Sequence, residues 1–273
     1  MPFAISNILW PAELDEQALL LARKCGADGI EVAPTRIAPW SELTANAARC
    51  YRKQLEDIGL KIPSMQAILF GRQDATLLSD KESYQRFVEH ILFVADHAVE
   101  LGAKRMVFGA PKNRLRNTLS SNDAMQLASE RLRPVSEHLH ARGVALVIEP
   151  VPASYGCDFI NKAAEAAKLV RMIDHPGIRL HLDTGALIVS RESAKDIVAE
   201  HHDILAHVHV SRPELAAVTD VLPIDNELAG ALTQANYQGW VSIEISTKEN
   251  ALTCIERALT VTRMAYKAFS HAA

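Results

Sequence analysis

Four acidic or imidazole side chains follow one another along the second half of this 273-residue chain, each near the end of a short apolar run. They are Glu149 in ALVIEP (145–150), Asp183 in IRLHLD (178–183), His209 in ILAHVHV (204–210) and Glu244 in VSIEIS (241–246). Consecutive members are 26 to 35 residues apart, about one strand plus one helix. On neighbouring parallel strands they would converge on one point. Three carboxylates and an imidazole suit one divalent cation: Mn²⁺, Mg²⁺, Co²⁺ or Zn²⁺.

The rest of the chain predicts eight strand–helix units in succession. The strand candidates are 3–8, 29–33, 61–67, 105–110, 145–150, 178–183, 204–210 and 241–246. The helix candidates are 13–25, 42–58, 81–101, 121–142, 161–174, 193–201, 225–236 and 249–269. Recurrent phrases such as CGADGIEV and RGVALVIE place a glycine between a helix and the next strand. We therefore predict an α/β fold, a (β/α)8 TIM barrel that forms a single domain over 1–273. An open doubly wound sheet is the alternative, disfavoured because no GxGxxG turn is present.

Alternation of side chains along a strand indicates which of the neighbouring histidines, His181, His207 and His209, can be a ligand. Residues two apart share a face, so His207 points with His209 and His181 points with Asp183. The second member of each pair lies nearer the mouth of the barrel and is the candidate ligand. His181 and His207 are expected one layer deeper, behind the ligands. Any one of these residues alone is more simply a solvent-facing polar group, but four buried together without a cation would suffer large desolvation and like-charge penalties.

Composition and charge exclude several classes of function. With 29 basic and 33 acidic residues the formal net charge is −4, which disfavours binding to nucleic acid or to an anionic membrane. The four cysteines show no CxxC pair and are interpreted as free thiols. The first residues lack the basic segment of a signal peptide, and no apolar run approaches the ~18 residues of a membrane span. A cytoplasmic protein is therefore expected.

The motifs IEP, HLDTG, HVHVS and SIEIS, in this order and spacing, resemble the xylose isomerase-like TIM-barrel superfamily. Within it they resemble the sugar phosphate isomerase/epimerase group, which includes ketose 3-epimerases, hydroxypyruvate isomerases and inosose dehydratases. The segment IPSMQAILFG (62–71) adds to the resemblance. The resemblance implies one divalent metal ion held by Glu149, Asp183, His209 and Glu244. It also implies that Glu149 and Glu244 form an acid/base pair on opposite faces of a sugar.

The expected reaction is isomerisation or epimerisation of a small sugar, sugar phosphate or keto-polyol through a metal-stabilised enediolate. Two alternatives remain open: a dehydratase of the inosose or 3-dehydroshikimate type, and a sugar-binding barrel without catalytic activity. Several epimerases and the endonuclease IV relatives carry a histidine three residues after the strand-six aspartate, where this chain has Ala186. The ends of strands two and three carry Glu31 and Gln66 rather than the histidines that a three-metal nuclease needs.

Further residues are candidate walls of the substrate pocket because they follow strand ends or lie in the long connections. They are Trp10, Glu31, Gln66, Phe70, Tyr155 and Arg212. Arg72 and Lys248 are equally well read as loop cations or as substrate contacts. The segments 151–160 and 68–80 are the candidate lids. A homo-oligomer through the apolar helix 249–269 is left open.

Overall fold

The computed structural model describes residues 1–246 and 250–267. In that part of the chain eight parallel strands form one sheet in the order β2-β1-β8-β7-β6-β5-β4-β3. The strands are β1 (Phe3–Ser6), β2 (Gly29–Glu31), β3 (Ser64–Met65), β4 (Arg105–Phe108), β5 (Ala145–Ile148), β6 (Ile178–Asp183), β7 (Leu205–Val210) and β8 (Val241–Ile243). The two end strands of this order, β2 and β3, meet through the bridges Gly29↔Lys61 and Val32↔Met65, so the sheet nearly closes on itself, which rules out the open doubly wound alternative. The predicted (β/α)8 barrel is confirmed.

The described residues also form nine α-helices, which surround the barrel. They are α1 (Asp15–Lys24), α2 (Ala45–Asp57), α3 (Lys81–Leu101), α4 (Ser121–Ala141), α5 (Ala163–Ile173), α6 (Thr184–Ser190), α7 (Ala194–His201), α8 (Pro223–Gln234) and α9 (Ala251–Lys267). Side chains of Thr44, Asp80, Ser120 and Ser193 accept hydrogen bonds from the first turns of α2, α3, α4 and α7, which explains where these helices begin. None of these helices is long and apolar enough to cross a bilayer.

Two elements differ from the sequence expectation. The third strand is two residues long, and β2 and its neighbouring segment meet there through the single bridges Gly29↔Lys61 and Val32↔Met65. Pro63 in this segment has no N–H to donate, so a regular ladder is interrupted at that position. The helix α6 was not predicted, because seven residues are too few to show a helical period.

Alternation along the strands divides apolar from polar residues across the barrel wall. In β6, Leu180 and Leu182 join the hydrophobic core, whereas His181 and Asp183 take the other face. In β7, Val208 and Val210 belong to the core, whereas His207 and His209 alternate with them. The register pairs Asp183 with His209 across β6 and β7. The helices therefore cover an apolar outer surface, while the barrel interior of this half is lined with groups that can carry charge.

Candidate metal centre and active site

Four side chains from successive strands meet at the carboxyl end of the barrel. Each of Glu149, Asp183, His209 and Glu244 offers one ligand atom, and these atoms all lie within 4.8 Å of one another. The Nδ1 atom of His209 is 3.2 Å from Glu244 Oε2 and 4.0 Å from Asp183 Oδ2. We call these four residues the carboxylate cluster. The structure thus brings together the whole set that the sequence singled out.

The carboxylate cluster lies in a cavity of about 820 Å³ that opens at the mouth of the barrel. Glu149, Asp183 and Glu244 line it directly. Most of the remaining wall is apolar and comes from the connections that follow the strands; it includes Ile8, Ile68, Leu69, Phe70, Val107, Pro111, Val151 and Leu215. Such a cavity can hold a small organic molecule against the cluster and keep bulk water away from it.

The charges of the cluster are poorly balanced by protein groups alone. Burial, and then the charge of Glu244, raise the pKa of Glu149 to about 8. Burial and Glu244 likewise raise the pKa of Asp183. Burial alone would lower the pKa of His209, but the Glu31 and Glu244 carboxylates together raise it well above its ordinary value. Among the described residues, Asp183 Oδ2 and His209 Nδ1 are buried without a hydrogen-bond partner. Oxygen and nitrogen atoms in this state fit a divalent cation, which would supply the missing positive charge.

The local backbone around Glu149 leaves room for its carboxylate. A Cβ atom at Gly109, which follows β4, would collide with the Glu149 carboxyl group, so a larger residue there would displace this carboxylate. Arg114 connects the backbone of the same region: its guanidinium donates hydrogen bonds to the carbonyl of Phe108 at 3.1 Å and to the carbonyl of Glu149 at 2.6 Å. With 1% of its surface exposed, Arg114 is a buried brace between β4 and β5. Its position in an irregular connection gave no sequence signal for this role.

Glu31 lies deeper in the barrel, behind the carboxylate cluster. It is fully buried and accepts a hydrogen bond from Ser64 Oγ at 2.6 Å. Its carboxylate contacts His207 Nε2 at 2.7 Å and His209 Nε2 at 2.8 Å. The contact between Glu31 and His209 is an ion pair rather than a hydrogen bond. Glu31 was expected in the pocket wall; instead its carboxylate holds two histidine rings, because the last residue of β2 points into the barrel.

His181 completes this deeper layer. It is fully buried, and among described groups neither ring nitrogen has a hydrogen-bond partner. Its ring meets the His209 ring edge-on, with 4.3 Å between centroids. Burial, followed by the nearby His209 and His207, lowers the pKa of His181 well below its ordinary value. A neutral His181 ring therefore packs against the candidate ligand His209.

We expect Glu31→Gln to weaken divalent-metal binding by about 10- to 100-fold, the usual effect of removing a carboxylate that orients a metal-bound histidine. The amide keeps the volume of the side chain but loses the charge that faces both imidazoles. Isothermal titration of the metal-free variant with Mn²⁺ measures the effect. Ser64→Ala, which removes only the hydroxyl bond to Glu31, is the matched control and should change the affinity much less. Equal affinities of Glu31→Gln and wild type would contradict this role.

The metal-free protein should lose stability as the pH rises from about 7 to about 8. Glu149 has an ordinary pKa of 4.5 and a folded pKa of about 8, so in this window the folded protein holds a proton that the unfolded chain has released. His209, with its raised pKa, acts in the same direction, whereas His181 and His207 have lowered pKa values and are neutral in both states.

When the folded protein holds one proton more than the unfolded chain, the free energy of unfolding falls by about 1.4 kcal/mol per pH unit. For a chain of this size this corresponds to roughly 3–5 °C in melting temperature. Thermal melts of chelator-treated protein at several pH values measure the slope. Glu149→Gln should flatten it, and added Mn²⁺ should raise the melting temperature most at pH 8. A melting temperature that rises with pH across this window would be the opposite result.

The cavity also receives several of the residues that were expected to contact a substrate. Gln66, Phe70, Tyr155 and Arg212 all line it. Gln66 donates to Ser6 Oγ and is 3% exposed, whereas Phe70 is 69% exposed at the rim. The Tyr155 hydroxyl accepts a hydrogen bond from the backbone N–H of Glu214 at 3.0 Å. Both expected lid segments, 68–80 and 151–160, border the cavity through these residues.

Two of the residues that were expected to contact a substrate, Trp10 and Arg212, have partners within the protein. Trp10 is 2% exposed and its indole N–H donates to Asp15 Oδ1 at 2.8 Å, while Ile8 occupies the adjacent part of the cavity wall. Arg212 forms a two-pronged ion pair with Asp225, at 3.1 and 2.7 Å, so its charge is compensated inside the fold. These partners lie 5 and 13 residues along the chain, and nothing in their spacing identified them in advance.

Two loop cations, Arg72 and Lys248, were also considered as substrate contacts. Arg72 pairs with Asp74 at 2.9 Å and also contacts His90, so it is held by the segment in which it lies. Lys248 lies outside the described residues. The last predicted helix, 249–269, is described as Ala251–Lys267.

Comparison with known proteins places the chain among related barrels. The sequence model of the xylose isomerase-like TIM barrel matches residues 19–263. No curated protein sequence matches. Among solved structures, that of an L-ribulose 3-epimerase superposes with a TM-score of 0.82 at 18% identity, covering 99% of this chain and 96% of the other. A D-psicose 3-epimerase in the presence of D-fructose gives 0.81 at 18% identity, with coverages of 97% and 99%. A 3-keto-D-glucoside 4-epimerase from E. coli gives 0.74 at 18% identity, with coverages of 97% and 99%.

Proposed function

Because the chain belongs to the xylose isomerase-like TIM-barrel family, we propose that it is a divalent-metal-dependent isomerase or epimerase of a small carbohydrate or keto-polyol. The observation that carries the proposal is the convergence of two glutamates, an aspartate and a histidine in one cavity at the carboxyl end of the barrel. The similarity in fold to L-ribulose 3-epimerase and D-psicose 3-epimerase supports a sugar as the substrate class.

The residues Glu149, Asp183, His209 and Glu244 would hold the cation. When bound, a divalent ion polarises a carbonyl group and stabilises negative charge that develops on its oxygen. The carboxylate of Asp183 is held in place because its Oδ1 accepts a hydrogen bond from the N–H of Ala186 at 2.6 Å. Its Oδ2 has no hydrogen-bond partner among the described atoms and would be the ligand atom. His209 is similarly fixed, with Nε2 against Glu31 and Nδ1 turned toward Glu244.

Glu149 and Glu244 are the proposed proton-transfer groups. They follow β5 and β8, with β6 and β7 between them, so their carboxylates approach the cavity from different sides. A glutamate whose pKa is raised toward neutrality is a suitable general base for a proton next to a ketone. If one glutamate removes the proton and the other returns it on the opposite face, the configuration of that carbon inverts. If one glutamate carries the proton between two carbons, an aldose and a ketose interconvert.

The apolar wall contributes by excluding water from the reacting carbon. Leu69, Val107 and Val151 line the cavity together with the cluster, and they offer no proton donor that would compete with the glutamates. A sugar can lay its C–H surface against such a wall while its carbonyl and neighbouring hydroxyl groups face the carboxylates.

Proton exchange in D₂O tests the proposal directly. Mn²⁺-loaded protein is incubated with D-psicose, D-fructose, D-tagatose and L-ribulose, and products are followed by mass spectrometry and NMR. We expect one deuterium on a carbon next to the carbonyl of an isomer otherwise unchanged in mass. A product lighter by one water would instead identify a dehydratase. Absence of exchange and turnover with every ketose, by protein shown to contain metal, would leave a sugar-binding barrel as the better account.

A further inference from the structure

A second cavity, of about 510 Å³, opens at the end of the barrel opposite the carboxylate cluster. Its walls come from residues that precede or begin strands: Ile62 and Pro63 before β3, Arg105 at the start of β4, and Trp240 before β8. We call it the lower cavity. It shares no lining residue with the cavity that holds the cluster.

The lower cavity carries an excess of positive charge. The ionisable residues that line it are Arg52, Glu56, Lys61, Lys104 and Arg105. The single acid is already used, because Glu56 accepts a hydrogen bond from Arg52 at 2.7 Å. For the other three cations, no carboxylate within residues 1–246 and 250–267 lies at ion-pair distance. Since the whole chain has a net charge of −4, this excess is a local property of the lower cavity.

Arg105 is the cation that most needs a partner. It is half-buried, one terminal nitrogen donates to the backbone carbonyl of Lys104 at 2.9 Å, and its Nε is buried with no partner among the described groups. Burial lowers the pKa of Arg105; Tyr237 opposes this shift, whereas Arg179, a second cation, adds to it. A guanidinium that is partly removed from water without a counter-charge is destabilising, and a bound anion would compensate its charge.

We propose that the lower cavity is a binding site for a small phosphate-bearing dianion. A monocarboxylate would compensate only one of the three unpaired cations, whereas a phosphate group carries up to two charges and several acceptor oxygens. The planar fork of Arg105 and the flexible ammonium groups of Lys61 and Lys104 match such a tetrahedral anion. This site is separate from the proposed sugar chemistry and does not depend on it.

Thermal melts and isothermal titration of the full chain with inorganic phosphate and with glycerol 1-phosphate test the site. Sodium chloride at equal ionic strength is the reference. Both phosphates should raise the melting temperature of the wild type above that reference. Lys104→Gln and Lys61→Gln should each weaken phosphate binding by about tenfold, the usual effect of losing one charged contact. Lys168→Gln, which removes an exposed charge on α5, is the matched control and should bind like wild type.

Arg105→Met is a further variant that distinguishes loss of phosphate binding from a folding defect. In phosphate-free buffer this variant should melt at or above the temperature of the wild type, because an uncompensated half-buried charge has been removed, and phosphate should no longer stabilise it. Tighter binding of glycerol 1-phosphate than of phosphate would identify an organic phosphate as the ligand, and equal binding would identify free phosphate. The proposal is overturned if neither compound stabilises the wild type beyond the salt reference, or if Lys168→Gln loses as much affinity as Lys104→Gln.

Discussion

We expect Glu149→Gln and Glu244→Gln each to lower kcat by about a thousandfold or more on any sugar that the wild type turns over. General acid–base catalysis contributes about 10² to 10⁴ in rate, and each variant removes one of the two groups that exchange the proton. Glutamine preserves the shape of the side chain, so the space above Gly109 stays filled and the surrounding contacts are retained.

The measurement is kcat with saturating Mn²⁺, accompanied by the metal content of each variant, because both glutamates are also candidate ligands. Glu214→Gln is the matched control: it makes the same substitution in the same cavity, on an exposed residue outside the carboxylate cluster, and should keep most of the activity. A Glu149 or Glu244 variant that contains metal and retains a tenth of the wild-type kcat would refute the base role of that residue. Deuterium exchange without net turnover in one variant alone would show which glutamate removes the proton.

Asp183→Asn and His209→Ala should abolish stoichiometric metal binding. We expect about one equivalent of divalent metal in protein purified without a tag or chelator, and less than about a tenth of an equivalent in either variant. Both residues offer a buried atom that lacks a hydrogen-bond partner in the described structure. Each variant therefore removes one metal ligand that the other three members of the carboxylate cluster do not replace.

Elemental analysis by mass spectrometry, with circular dichroism to verify folding, measures this effect. Asparagine is the informative replacement at position 183, because its side-chain oxygen can still accept the N–H of Ala186 and cap α6. His201→Ala, at a buried histidine on α7 outside the cluster, is the control for loss of an imidazole. Wild-type protein that takes up no Mn²⁺, Mg²⁺, Co²⁺ or Zn²⁺ on dialysis would contradict the metal centre itself.

Much of this architecture was predictable because its signals are local. Alternation in β6 and β7 and the spacing of strands and helices are properties of short segments, and parallel strands in a barrel bring their carboxyl ends to one mouth. Asp183 and His209 could therefore be placed together from HLD and HVH alone. The helix α6 gave no comparable signal, since its first residue follows directly on Asp183 and its seven residues complete fewer than two full turns.

The partners of individual side chains could not be predicted, because they depend on packing between distant segments. Arg212 was expected to contact a substrate, and its ion pair with Asp225, on α8, could not be identified from the sequence. Glu31 looked like a pocket wall because the sequence does not show how far from the mouth the short strand β2 ends. The buried contacts of Arg114 with carbonyl groups of β4 and β5 belong to the same class.

The contact between Glu31 and His207 joins positions 176 residues apart and links the two halves of the chain. All four candidate ligands come from β5 to β8, so the C-terminal half alone contains the coordinating atoms, but the carboxylate that aligns His209 arrives with β2. In the sheet order β2 reaches β7 through β1 and β8, so this alignment requires β1 to pair with both β2 and β8. During refolding, tight metal uptake should consequently be a late event, and its time course would report the closure of the barrel rather than the formation of its individual strands.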